Sequence, residues 1–246
     1  MLSQRIKDVL NQNYKVGAIL HSVGIPFYQF DEKETLQEIC QKKGLDIKII
    51  EQTLQKALQK HENPILIKYP VDLVISYLKH MHHEFINRKI PYLAELIQYC
   101  QPQEQKHQSI ISDLQIFFPL FVEEFILHIH EEEDNFFNYI IKIHKASLGK
   151  INLNQLFFDI EKNPIQNFAL EHHQHDDDMR GIREITHNYL LPKKPSLLLE
   201  VLFAELKAFE KELILHANIE DHILLPKAIK LEKLVKTMIN NRKDLN

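Results

Sequence analysis

His128 and Glu132 stand four residues apart, and so do His216 and Glu220. An imidazole and a carboxylate at that spacing project from one side of a helix and can reach the same ion. Both pairs lie on apolar stripes. Leu114, Phe117, Phe121 and Phe125 lead in steps of three and four to His128, Glu132 and Phe136. Leu202, Leu206, Phe209 and Leu213 lead in the same way to His216, Glu220 and Leu224. In "LHIHEEEDNFF" (Leu127–Phe137), one histidine and one glutamate therefore face the core. His130, Glu131, Glu133 and Asp134 read as flanking or solvent-facing groups.

One such pair means little. With 15 histidines and 22 glutamates in 246 residues, chance alone gives about one His-x-x-x-Glu, and His80 with Glu84 is read as that one. Two further histidines add weight. His83 precedes Ile86, Ile90, Leu93 and Ile97, and His172 follows Ile165 and Phe168. His83 lies 45 residues before His128, and His172 lies 44 before His216. The chain reads as two copies of one plan: a helix with one inward histidine, then a helix with His-x-x-x-Glu. The competing reading is a bundle without metal, its histidines hydrogen-bonded in the core and its acids solvated. Buried glutamate is rare unless paired or bound to metal, which favours the metal reading.

Six nitrogen and oxygen donors without a thiolate fit a closed tetrahedral zinc site poorly. They suit a dinuclear centre, with His83 and His128 capping one ion, His172 and His216 the other, and Glu132 and Glu220 bridging. Iron fits such donors, and zinc and manganese stay open.

These residues need long helices to hold them. Four periodic segments follow Pro70: about Val71–Tyr99, about Ser109–Lys145, one starting at Pro164, and one starting near Pro195–Ser196 and running past Pro226. Pro91, Pro119 and Pro226 should kink or interrupt them. The expected fold is all-α, an antiparallel up-down four-helix bundle over residues 63–246 behind a small helical N-terminal domain at 1–62. Gly44 separates two short helices in that domain, and "HENPILIKYP" (His61–Pro70) marks the boundary.

The composition agrees. The chain is 44% hydrophobic and 26% charged, with five glycines, no tryptophan and a net charge of −4. Neither nucleic acid nor an anionic membrane is expected as partner. No apolar run reaches the length of a membrane span, and no signal-peptide pattern opens the sequence, so a cytoplasmic protein is expected. Cys40 and Cys100 make no metal-type pair.

Four segments resemble one family. "HHEFINRKIPYL" (His82–Leu93), "HIHEEEDNFF" (His128–Phe137), "PIQNFALEHHQH" (Pro164–His175) and "HANIEDHILLPKA" (His216–Ala228) are similar to the ligand helices of the hemerythrin-like iron–sulfur cluster repair family, the repair-of-iron-centres proteins. The resemblance implies two non-haem iron ions, oxo-bridged, with ligands His83, His128, Glu132, His172, His216 and Glu220. Glu124 and Glu171 match acidic positions near the family's centre. Repair of clusters damaged by nitrosative or oxidative stress is the implied function, with damaged iron–sulfur proteins as partners and nitric oxide or oxygen as small ligand. No enzymatic turnover is assigned. The alternative is a hemerythrin-like oxygen- or nitric-oxide-binding sensor, for which His173 or His175 could supply a further ligand. The N-terminal segment "KETLQEICQKKGLDIKIIEQTL" (Lys33–Leu54) also resembles that family's first domain. Its usual Cys-Cys pair is absent from "FYQFDEKE" (Phe27–Glu34), which leaves docking or homodimerisation as its role.

Overall fold

The computed structural model describes residues 2–58, 65–100, 105–162, 165 and 178–243. The fold is all-α, a helical bundle; among the described residues the only bridge is an isolated antiparallel one between Arg5 and Thr35. None of the described helices is long and apolar enough to cross a membrane.

The described chain divides into two compact units. The first comprises Met1–Asn63, Ile86–Leu120 and Met179–Glu210. It opens with α1 (Ile6–Gln12), α2 (Lys15–Ser22), α3 (Leu36–Lys43) and α4 (Ile47–Ala57). Thr35 and Glu38 close a reciprocal capping box at the start of α3, satisfying backbone N–H groups that the helix leaves open. Gly44 ends α3 at φ 67°, a left-handed position that costs glycine nothing. Gly17 in α2 admits a close approach: a Cβ there would lie 2.7 Å from the Tyr92 hydroxyl.

The second unit comprises Pro64–Phe85, Phe121–Asp178 and Lys211–Asn246. Its core joins Val74, Leu78, Phe137, Ile140, Ile143 and Leu224, all buried. Leu153–Lys162 forms an extra amphipathic helix between the second and third expected segments, which the sequence reading leaves as a connection.

Among the described residues, three long helices carry candidate histidines, and each contains a π-helical turn. The first runs as α5 (Val71–Glu84), a π turn at Phe85–Lys89, then α6 (Ile90–Tyr99). The second is α7 (Gln105–Glu131), a π turn at Glu132–Phe137, then α8 (Asn138–Ser147). With Leu153–Lys162 as α9 and Arg180–Ile185 as α10, the last is α11 (Leu197–Ile219), a π turn at Glu220–Leu224, then α12 (Leu225–Lys243). Ser196 Oγ accepts from Leu199 N–H at 3.2 Å, a cap that starts α11 close to the expected place.

Two of the π turns have a cause legible in the sequence. Proline lacks an N–H and its ring clashes with the carbonyl four residues back. Pro91 and Pro226 each follow a π turn within two residues, where the widened ladder relieves that clash. The turn at Glu132–Phe137 has no proline, and Pro119 sits inside α7.

Candidate metal centre

Four buried side chains of the second unit converge: His82 from α5, Glu132 opening one π turn, His216 from α11, and Glu220 opening another. One donor atom of each lies within 4.8 Å of the others. Their exposures are 2% for His82, 5% for Glu132, 8% for His216 and 3% for Glu220, so water does not screen them.

Packing fixes the rings. His82 stacks on Phe137 at 5.7 Å between centroids and 6° between planes. It also meets the His216 ring at 4.6 Å. Phe85 sits edge-on to His216 at 6.0 Å. His82 Nε2 lies 3.3 Å from a Glu132 oxygen, and His216 Nδ1 lies 3.3 Å from a Glu220 oxygen. The other His82 nitrogen, Nδ1, lies 2.8 Å from Glu133 Oε1. Burial presses the His82 pKa down, but the hydrogen bond and charge of Glu132, the hydrogen bond of Glu133 and the charge of Glu220 outweigh it and hold the imidazole above its ordinary value. Burial likewise lifts the Glu133 carboxyl, and hydrogen bonds from His82 and Lys79 overcome that and keep it low.

The donor set fits a metal ion. Two carboxylates at this separation repel by on the order of 3 kcal/mol even at an effective dielectric of about 20. Two imidazoles in the same buried space favour a shared cation that offsets both charges. The geometry can hold one ion between all four donors, or one side of a larger centre.

No family model matches the chain. Three proteins carrying the name iron–sulfur cluster repair protein YtfE are similar to it, from Escherichia coli O8 (strain IAI1), Escherichia coli K12 (DH10B) and Shigella boydii serotype 18. Each is 22% identical over 200 residues, covering 80% of this chain and 84% of its own. The chain is thus distantly similar to proteins named for iron–sulfur cluster repair.

Against this geometry, Glu132, His216 and Glu220 come together as the stripes predict. His83 does not: its side chain is exposed, and its neighbour His82 takes the inward position. The cause is the π turn at Phe85–Lys89. Downstream, Ile90, Leu93 and Ile97 are buried as expected. Counting back from them in α-helical steps gives Ile86 and His83. The wide turn adds one residue, so the buried positions upstream are Phe85, His82, Leu78, Ile75 and Val71. That upstream stripe, read by itself from Val71, reaches His82 and was the available signal. On α7 Phe118 is buried in place of Phe117, but without a slip: Leu114 and Phe121 on either side are both buried, and the step runs four then three instead of three then four.

His128 is half-buried on α7, one turn before Glu132, and is not among the four converging residues. Glu124 is exposed on the same helix. Glu171, His172, His173 and His175 lie outside the described residues. Glu133, expected as a flanking or solvent-facing group, is partly exposed and reaches His82. Neither cysteine competes as a ligand: Cys40 and Cys100 are free and buried. Burial pushes the Cys100 thiol up to about 11.

Proposed function

We propose that the chain is a di-iron protein that assists repair of iron–sulfur clusters damaged by nitrosative or oxidative stress. The observation that carries this reading is the buried pair of imidazoles converging with a buried pair of carboxylates. The distant similarity to proteins named for iron–sulfur cluster repair supports the same class. In this reading His82, His128, His172 and His216 are the nitrogen ligands, with His82 in the role expected of His83. Glu132 and Glu220 bridge. Two iron ions held there would supply labile coordination positions, for release of iron or for nitric oxide or oxygen. Damaged iron–sulfur proteins are the proposed partners, and the cytoplasm is the proposed setting.

The protein's own residues do the rest. The carboxylates and imidazoles hold the ions, and Phe85, Phe125 and Phe137 line the core around them with carbon. The test is metal content and visible spectrum of protein from iron-replete cells, beside restoration of an iron–sulfur enzyme inactivated by nitric oxide. About two irons per chain and recovery of the damaged enzyme are expected. Bound iron with reversible nitric oxide binding but no recovery favours the sensor reading. Protein with no iron and no charge-transfer band removes the centre. His82→Ala should lose iron while His83→Ala keeps it.

A further inference from the structure

Glu133 lies within the run Glu131–Asp134, but its partners differ from those of a solvated acid. Its Oε1 is 2.8 Å from His82 Nδ1, and its Oε2 forms an ion pair with Lys79 Nζ at 3.2 Å. Lys79 and His82 lie three residues apart on α5, so one carboxylate spans a turn of that helix and engages both. His82 is 2% exposed and its ring is backed by Phe137, which sets the plane but not which nitrogen carries the proton. The hydrogen bond to Glu133 sets that. With Nδ1–H donated outward, Nε2 is the nitrogen that faces Glu132 and the converging donors, and its lone pair is the one a metal ion would take.

We propose that Glu133, itself held by Lys79, is a positioning residue that fixes the Nδ1–H tautomer of His82 and presents Nε2 to the metal. This rests on the metal-centre reading above. Histidine ligands generally need such an outer carboxylate or carbonyl, and losing it weakens metal binding by about 10–100-fold.

The experiment uses the full chain, stripped of metal and titrated with Co(II), whose visible bands report coordination. Glu133→Ala should lower Co(II) affinity by about 10–100-fold and shift the bands. Glu133→Gln, whose amide oxygen still accepts the Nδ1 hydrogen, should stay within about threefold of the wild type. Glu131→Ala removes an equal charge from the same run and should change neither. In the metal-free protein, nitrogen-detected NMR of His82 should show a proton on Nδ1 that Glu133→Ala releases. If Glu133→Ala behaves like Glu131→Ala in affinity, bands and tautomer, the proposal is overturned while the centre stands. Glu132→Ala separates the two: unaltered Co(II) binding there overturns the centre and this inference with it. Should Glu133→Ala fail to fold, Lys79→Ala releases Oε2 and should shift the bands in the same direction, and wild-type bands overturn the proposal.

Discussion

The two units each set a histidine against a glutamate among aromatic rings, and they solve different problems with it. In the first unit, the Glu95 carboxylate accepts from the Tyr28 hydroxyl, and His21 Nε2 lies 3.1 Å from the same oxygen. Tyr28 packs against Tyr99 at 4.8 Å, and Gln29 donates to the Tyr99 hydroxyl at 3.2 Å. One acid there meets two donors, and its side chain is 46% exposed. In the second unit, two acids and two imidazoles share a space that solvent does not reach. The residue types are alike. The balance of donors to charges, and the burial, decide which cluster calls for a cation.

The sharpest way to break this contrast is to remove the packing behind one histidine. Phe137 is fully buried, so Phe137→Ala should cost about 3–5 kcal/mol in urea unfolding. Tyr99→Ala, at a position 45% exposed, should cost much less. If the two losses are equal, the second unit's site is no better backed than the first's.

Metal linkage comes next. An ion that binds only the folded chain at about 100 times its dissociation constant should stabilise it by about 2.7 kcal/mol. Glu132→Gln should abolish that gain, and Glu95→Gln should leave it intact. Thermal unfolding with and without Co(II) reads both.

A smaller effect separates the clusters by pH. The Tyr28 hydrogen bond above all, then that of His21, hold the Glu95 pKa below its ordinary value despite some burial. A depressed folded pKa gives stability that is present above the unfolded pKa and lost as pH falls through the folded one. Glu95→Gln should flatten the acid limb of thermal stability below about pH 4. Solvent screening at this exposed group limits the difference to less than about 1 kcal/mol. Tyr28→Phe should show a similar or smaller loss near neutral pH, about 0.5–1 kcal/mol for one hydrogen bond.

Much of this was legible because helices declare themselves by period and punctuation. Pro70 before Val71, Ser196 before Leu197, Gly44 and the Thr35–Glu38 box all mark boundaries that local chemistry fixes. Glu132, His216 and Glu220 were legible because glutamate on an apolar stripe is conspicuous. His82 was not, since a count in threes and fours assumes one helical pitch throughout. Pro91 and Pro226 hinted where that assumption fails, while the π turn at Glu132 left no such mark. Glu133 was hidden for another reason. Its role depends on α5 crossing within hydrogen-bond reach, and no pattern within its own helix encodes that.

The π turn at Phe85–Lys89 acts on space as an inserted base acts on a reading frame. On either side the apolar code is intact, but the two halves are read one residue apart: Val71, Leu78 and His82 in one frame, Ile90, Leu93 and Ile97 in the other. Deleting a single residue from this turn would restore one frame throughout. Winding the turn at α-helical pitch without a deletion would instead bring His83 and Lys79 to the face that His82 and Leu78 now occupy. The tandem histidines thus give the helix a donor in either frame, while the lysine and the leucines allow only one of them to fold well.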